Sequence, residues 1–221
     1  MVIVVNRGPF LTAIISRLGT AGKGHARQRK EWVVPMAESV ENAVSERTEL
    51  LDILAEQRKN LRLTVRGLSD EQAAARTTPS ELCLGGLIKH VARVERGWIN
   101  VMNGRSAFGG DQPGQQDPAA QEARWADEFR LVDGETLSGM LDLYDEVARE
   151  TEAAVAALPS LDIAAKLPEA PWFPPNTSWT ARRILLHLIR ETSQHAGHAD
   201  IIRESLDGAS TTAAWAEEFT Q

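Results

Sequence analysis

Apolar residues recur along this chain at the 3.6-residue period of helices that share a core. Four long segments carry the pattern. The first spans roughly 42–67, with Leu51, Leu54, Leu61 and Val65 as its stripe and Gly67 as a stop. In the second, roughly 81–102, Cys83, Leu87, His90, Val94 and Val101 fall on one line, flanked by Leu84, Val91 and Trp98. The third runs roughly 135–158, where Leu137, Leu141, Tyr144, Ala148, Thr151, Val155 and Leu158 repeat at heptad spacing before Pro159. The fourth runs roughly 179–206, with Ser178 as its N-cap and Gly208 past its end. Between the first two, Ser69-Asp-Glu-Gln72 has the form of a capping box and opens a short helix.

The links between these segments are unequal. Residues 103–133 contain Gly109-Gly110, Pro113 and Pro118, and within them residues 122–129 read as a small helix. Residues 159–178 are rich in proline and carry Trp172 and Phe173. Long helices with long crossovers predict an all-α four-helix bundle that is not simply up-down-up-down. Long ordered loops over a bundle end are where functional lids tend to sit. No segment shows a strand pattern, and no repeat has a solenoid period.

Composition narrows the class. The 221 residues are ordinary for a globular protein, with a net charge of −7 and one cysteine, Cys83. A lone cysteine excludes a disulfide framework and a Cys-based zinc ribbon, and suits a reducing cytoplasm. Residues 1–35 are basic, about +5, and read as a disordered extension that leaves about −12 on a single domain over 36–221. Met36 precedes a conventional acidic start. Residues 9–18 have the length of a signal core, but Arg17 interrupts them and no clean cleavage site follows. An acidic body disfavours nucleic acid and anionic membrane as partners. No apolar run approaches the ~18–20 residues of a membrane span.

The candidate chemistry lies on the fourth helix. Glu191 and His195 stand four residues apart on the face that also carries Ile184, Leu188 and Ile202. Ionisable groups on a buried face must be paired or must hold a metal. His90, on the stripe of the second helix, supplies a third donor if the two helices meet. Two imidazoles and a carboxylate suit a divalent cation such as zinc or nickel, with a position left for water or substrate. The structural alternative is that His90 is a hydrogen-bonded core histidine and that Glu191 and His195 form an intrahelical pair.

Other residues carry weaker signals. His198 is a fourth ligand, an outer hydrogen-bond donor or a proton shuttle; His187 lies one turn before Glu191, at the rim. Arg58 stands on the first stripe where an apolar residue is expected. It either binds a carboxylate of substrate or cofactor, or packs its stem and turns its head outward. Trp98, Trp172 and Phe173 either wall a binding pocket or serve as core and loop anchors. Cys83 lies about 10 Å from His90 along the helix, too far to share its cation, and reads as core.

Three segments, Gly67–Gln72, Leu84–Trp98 and Glu191–Ile201, resemble the DinB superfamily, and most of all its actinobacterial branch related to mycothiol-dependent maleylpyruvate isomerase. They occur in the family's order, and the resemblance covers roughly residues 45–207. It implies a four-helix bundle holding a divalent metal through His90, Glu191 and His195 by motif position. Many members have histidine where this chain has Glu191, while isomerase-type members have glutamate. Where members often read His-Arg-Gly-Gln, this chain reads His195-Ala-Gly-His198, which leaves the role of His198 open. The isomerase carries a further C-terminal domain for which little chain follows the fourth helix, so isomerase activity is not the expectation.

Family members of known activity use a low-molecular-weight thiol, mycothiol or bacillithiol, as co-substrate. The resemblance thus implies thiol transfer to a small electrophile, of a detoxifying type. Metal-assisted hydrolysis remains an alternative, as does a bundle that binds a small molecule or partner without catalysis. A homodimer through helix faces is compatible with bundles of this type.

Overall fold

A computed structural model describes residues 45–107, 127–170 and 172–218. The expectations for the basic segment 1–35, for Met36 and for most of the 122–129 helix lie outside these residues. All described residues belong to one unit, Val44–Gln221. Among them the element order is α1 (Glu46–Leu63), α2 (Asp70–Ala74), α3 (Leu84–Met102), α4 (Leu137–Ala157), β1 (Ala164–Lys166), β2 (Ser178–Thr180), α5 (Ala181–Asp207) and α6 (Thr211–Glu218).

Local chemistry sets most of the boundaries. The Ser45 hydroxyl accepts the Thr48 N–H to start α1, and α2 opens with the reciprocal capping box of Ser69 and Gln72. At α4 the Thr136 side chain accepts from Gly139. The cap of α5 is Thr180, whose hydroxyl accepts from Arg183, and not Ser178 as expected. Ser178 lies instead in β2, which pairs antiparallel with β1 so that Ala165 faces Trp179. Three-residue strands are too short to show an alternating period, so this small sheet left no trace in the sequence pattern. Gly208 ends α5 at φ 79°, a left-handed conformation that costs glycine nothing.

Four long helices form the all-α bundle. Helix α3 packs on both α4 and α5, α1 packs on α5, and a thinner α1–α4 contact closes the ring. Contacts along the helices give their directions. Glu46 meets Arg182 at one end and the Thr64 carbonyl accepts from Arg203 at the other, so α1 and α5 run parallel. Lys89 meets Glu135 just before α4, and Arg96 meets Glu146 and Glu150 further along, so α3 and α4 also run parallel. Helices α3 and α5 are antiparallel, because His90 meets His195 while Trp98 meets His187. The order is up, down, down, up. Parallel neighbours cannot be joined by a tight turn, which explains the long link between α3 and α4.

Helix α3 is buried nearly all round, including its charged residues Lys89, His90 and Glu95. Glu95 is 1% exposed and accepts from Arg58 Nε at 3.2 Å, from an Arg58 terminal nitrogen, and from the Thr151 hydroxyl at 2.5 Å. This corrects both sequence readings of Arg58. Its head is turned inward and is 5% exposed as a residue, and the carboxylate it binds is the chain's own. The buried row of α1 is Leu50, Leu54, Arg58 and Leu61, with Leu51 at its edge, so the arginine stands in the middle of the core face. The buried Tyr144 phenol lies near the same charges. Burial first, then the Glu95 carboxylate, push its ionisation well above the ordinary value.

Cys83 is buried at the N-cap of α3 and not inside the helix. No described helix is long and apolar enough to cross a membrane.

A buried charge stripped of its partner costs far more than a pair removed together. Glu95→Ala is expected to destabilise the protein by roughly 3–5 kcal/mol. The double variant Arg58→Met, Glu95→Leu should recover most of that loss, since the Thr151 hydroxyl still has the Val147 carbonyl at 2.9 Å. Urea denaturation of wild type and both variants checks this. A double variant no more stable than Glu95→Ala refutes the account.

Candidate metal centre

Three side chains from two antiparallel helices converge. His90 comes from the second turn of α3; Glu191 and His195 come from successive turns of α5. One donor atom from each lies within 4.8 Å of the others. Glu191 Oε1 is 3.5 Å from His90 Nε2 and 3.3 Å from His195 Nε2. The two histidines are buried and the glutamate half-buried. The imidazole rings meet edge to face at 4.8 Å between centroids.

The electrostatics follow from this packing. Glu191 is held far below the ordinary carboxylate range by hydrogen bonds with His195 and then His90, against the opposing effect of burial. It is therefore an anion at any physiological pH. For His90, burial disfavours the charged ring, but pairing with Glu128 and Glu191 outweighs it and the value rises. His187 shifts the other way, lowered by burial and by the neighbouring Arg190 and Arg183 against the pull of Glu191.

The donor set fits a divalent cation. Bonds of about 2.1 Å at tetrahedral angles separate ligand atoms by about 3.4 Å, close to the observed spacings from Glu191. Both imidazoles turn Nε2 toward the carboxylate. Each keeps Nδ1 for an outer partner: His195 Nδ1 is 3.4 Å from His198 Nδ1, and His90 Nδ1 is 3.4 Å from Glu128 Oε1. His198 therefore stands on the far side of the His195 ring from Glu191.

The segment that follows the undescribed stretch covers the site. Residues 127 and 128, the tail of the expected small helix, are helical. Phe129 lies against the His90 ring, 4.2 Å between centroids, and 6.1 Å from His195. Its carbonyl sits on Gly86, where a β-carbon would come within 1.9 Å of it. Lys89, 1% exposed, donates to the Arg130 carbonyl at 3.1 Å and to Glu135 at 2.5 Å, and Arg93 joins Glu128 to Glu135.

Trp98 lies elsewhere on α3, stacked on Trp179 at 4.8 Å and 4°, with His187 at 4.9 Å and Phe173 at 6.3 Å. Trp172 is 65% exposed beside Phe173. This aromatic group adjoins the triad through His187, one turn before Glu191 on α5. Arg58 is turned to Glu95 in the core. Two clefts, one lined by residues that include Asn100, Arg105 and Lys166 and one by residues that include Lys166, Phe173 and Thr177, do not include the triad. Sequence reasoning missed Glu128, Phe129 and Lys89. Glu128 and Phe129 lie in a link without usable period, and Lys89 reads as an ordinary surface lysine until its partner is placed.

The anchoring of this cover has a pH signature. Burial opposes ionisation of Glu135, but Lys89 and the Val132 N–H outweigh it and hold the carboxyl below its ordinary 4.5. A depressed folded value stabilises the fold fully above the unfolded value, and that contribution is lost as pH falls through the folded one. Glu135→Gln is expected to lower stability by about 1.5 kcal/mol at pH 7. The wild-type and variant curves of melting temperature against pH should converge below pH 4.5. A gap that stays constant across that range contradicts this.

The sequence matches the family model described as mycothiol-S-transferase over residues 49–208. No curated protein matches it. Among solved structures, one titled as the conserved protein of locus from Enterococcus faecalis is similar at a TM-score of 0.56 and 15% identity, covering 76% of this chain and 100% of that one. At that identity the likeness concerns the fold alone.

Proposed function

The chain belongs to the mycothiol-S-transferase family, and from that membership we propose that it joins the sulfur of a mycothiol-type thiol to a small electrophile, using a divalent cation held by His90, Glu191 and His195. The observation that supports this most is the buried convergence of one carboxylate and two imidazoles from α3 and α5. Zinc or nickel suits these donors. A bound cation supplies the chemistry the thiol needs, favouring its ionised form near neutral pH.

The protein's own groups do the rest. Glu191, an anion at working pH, offsets the charge of the cation and draws both imidazoles into line. Phe129 closes one side against water, which strengthens the electrostatic interactions beneath it. His198, beside Nδ1 of His195, holds that ring's orientation and can pass on a proton released by the thiol. The aromatic group of Trp98, Trp179 and Phe173 suits the apolar part of the electrophile. The reaction is of the detoxifying kind, in which a reactive carbon is capped by sulfur.

Removing a ligand separates this reading from its alternatives. Wild-type protein is expected to retain stoichiometric metal after desalting and to consume mycothiol in the presence of an activated aryl halide. His195→Ala should lose both, with metal affinity down by at least about 100-fold. Elemental analysis, chelator competition and a thiol-consumption assay measure this. Metal retention without thiol consumption would point to hydrolysis, and absence of metal from the wild type would leave a binding bundle. Unchanged metal content in His195→Ala would remove that residue from the ligand set.

A further inference from the structure

We propose that Glu128 is a positioning residue for this centre: its carboxylate holds the proton on His90 Nδ1, so that Nε2 presents its lone pair toward Glu191 and His195. This rests on the metal-binding reading of the three ligands given above.

His90 has two ring nitrogens with different surroundings. Nε2 faces the triad. Nδ1 is buried with no well-formed hydrogen bond among the described residues, and the Glu128 carboxylate approaches it at 3.4 Å. A buried ring nitrogen without a partner is costly, and an anion is the acceptor that most strongly favours a proton there. A neutral imidazole carries one proton. Placing it on Nδ1 leaves Nε2 free to coordinate, and a carboxylate behind the ring raises its basicity as a ligand.

Glu128 is itself aimed. Its second oxygen lies 3.4 Å from Arg93 Nη1, and Arg93 also reaches Glu135. The next residue, Phe129, packs against the same imidazole at a 32° tilt, while Lys89 and the Gly86 contact fix the backbone on either side. Three elements of the 127–135 segment thus act on one ring: a carboxylate at its edge, an aromatic over its face, and a tether below. The other ligand histidine has an imidazole, not a carboxylate, at the equivalent place, that of His198. The two imidazoles are therefore not equivalent, and Glu128 makes His90 the stronger donor.

The test uses the full chain. Zinc affinity is measured by competition with a chromophoric chelator for wild type, Glu128→Gln, Glu128→Asp and Glu135→Gln, with the melting temperature of each apo form. Cobalt absorption and the nitrogen chemical shifts of His90 report ligand geometry and tautomer. Glu128→Gln is expected to weaken zinc about 10–100-fold, shift the cobalt bands and leave the apo melting temperature close to wild type. Glu128→Asp, which keeps the charge, should recover part of the loss. Glu135→Gln loosens the same segment without touching His90 and should cost little affinity. Wild-type binding with Glu128→Gln equally tight overturns the proposal and leaves the metal-binding reading intact. An equal loss in Glu135→Gln overturns it too, because tethering and not the carboxylate would then matter. A wild type that binds no zinc overturns both.

Discussion

Helix α3 runs through the middle of the bundle with three ionisable residues that cannot reach water, and the rest of the structure is arranged around that fact. At about 100° per residue, Lys89, His90 and Glu95 leave the helix in three directions roughly 120° apart. Each needs its own partner, because an unpaired buried charge costs several kcal/mol. Glu95 finds Arg58 on α1 and Thr151 on α4. Lys89 finds Glu135 ahead of α4. His90 finds Glu191 on α5 and Glu128 in the covering segment. A helix that is polar in three directions at its centre can be satisfied in one packing only. Apolar stripes alone would permit several, since ridges of leucine and valine slide at little cost.

The site inherits its precision from that arrangement. The Arg58–Glu95 pair crosses between α1 and α3, which are not principal neighbours, and so fixes the height of α3. With α3 held, His90 is level with Glu191 and His195, which are already stacked by the helix repeat. The centre needs no loop residue as a ligand. Glu128 and Phe129, just ahead of α4, contact His90 from outside the triad.

Much of this was legible in the sequence, and the limits have physical causes. Helical period, caps and proline stops carried the four long helices, because those signals are local. Gly208 marked an end correctly for the same reason. The i, i+4 pair of Glu191 and His195 was legible because helix geometry alone brings the two together; adding His90 needed only the assumption that two apolar stripes meet. The inward turn of Arg58 was not legible, since it depends on a glutamate 37 residues away that carries no mark of burial. Glu128 escaped for a related reason: its segment has no period, and its role exists only once Gly86 lets the backbone settle on α3. Ser178 failed as a cap because Thr180, two residues on, offers the same hydroxyl and the short sheet claims the serine.

Topology explains why the cover exists at all. An up-down-up-down bundle joins neighbours by tight turns and leaves its ends bare. Here α3 and α4 are adjacent and parallel, so the end of α3 and the start of α4 lie at opposite ends of the bundle. Residues 127–135 therefore lie at the N-terminal end of α3, where Gly85 and Gly86 leave room for Leu131 and the Phe129 carbonyl. The segment thus reaches the turn of α3 that carries His90. Phe129 of that segment lies against the His90 ring and is held there by the Lys89 tether and the Gly86 contact. The parallel pair that lengthens the connection thus also brings a tethered aromatic residue against His90.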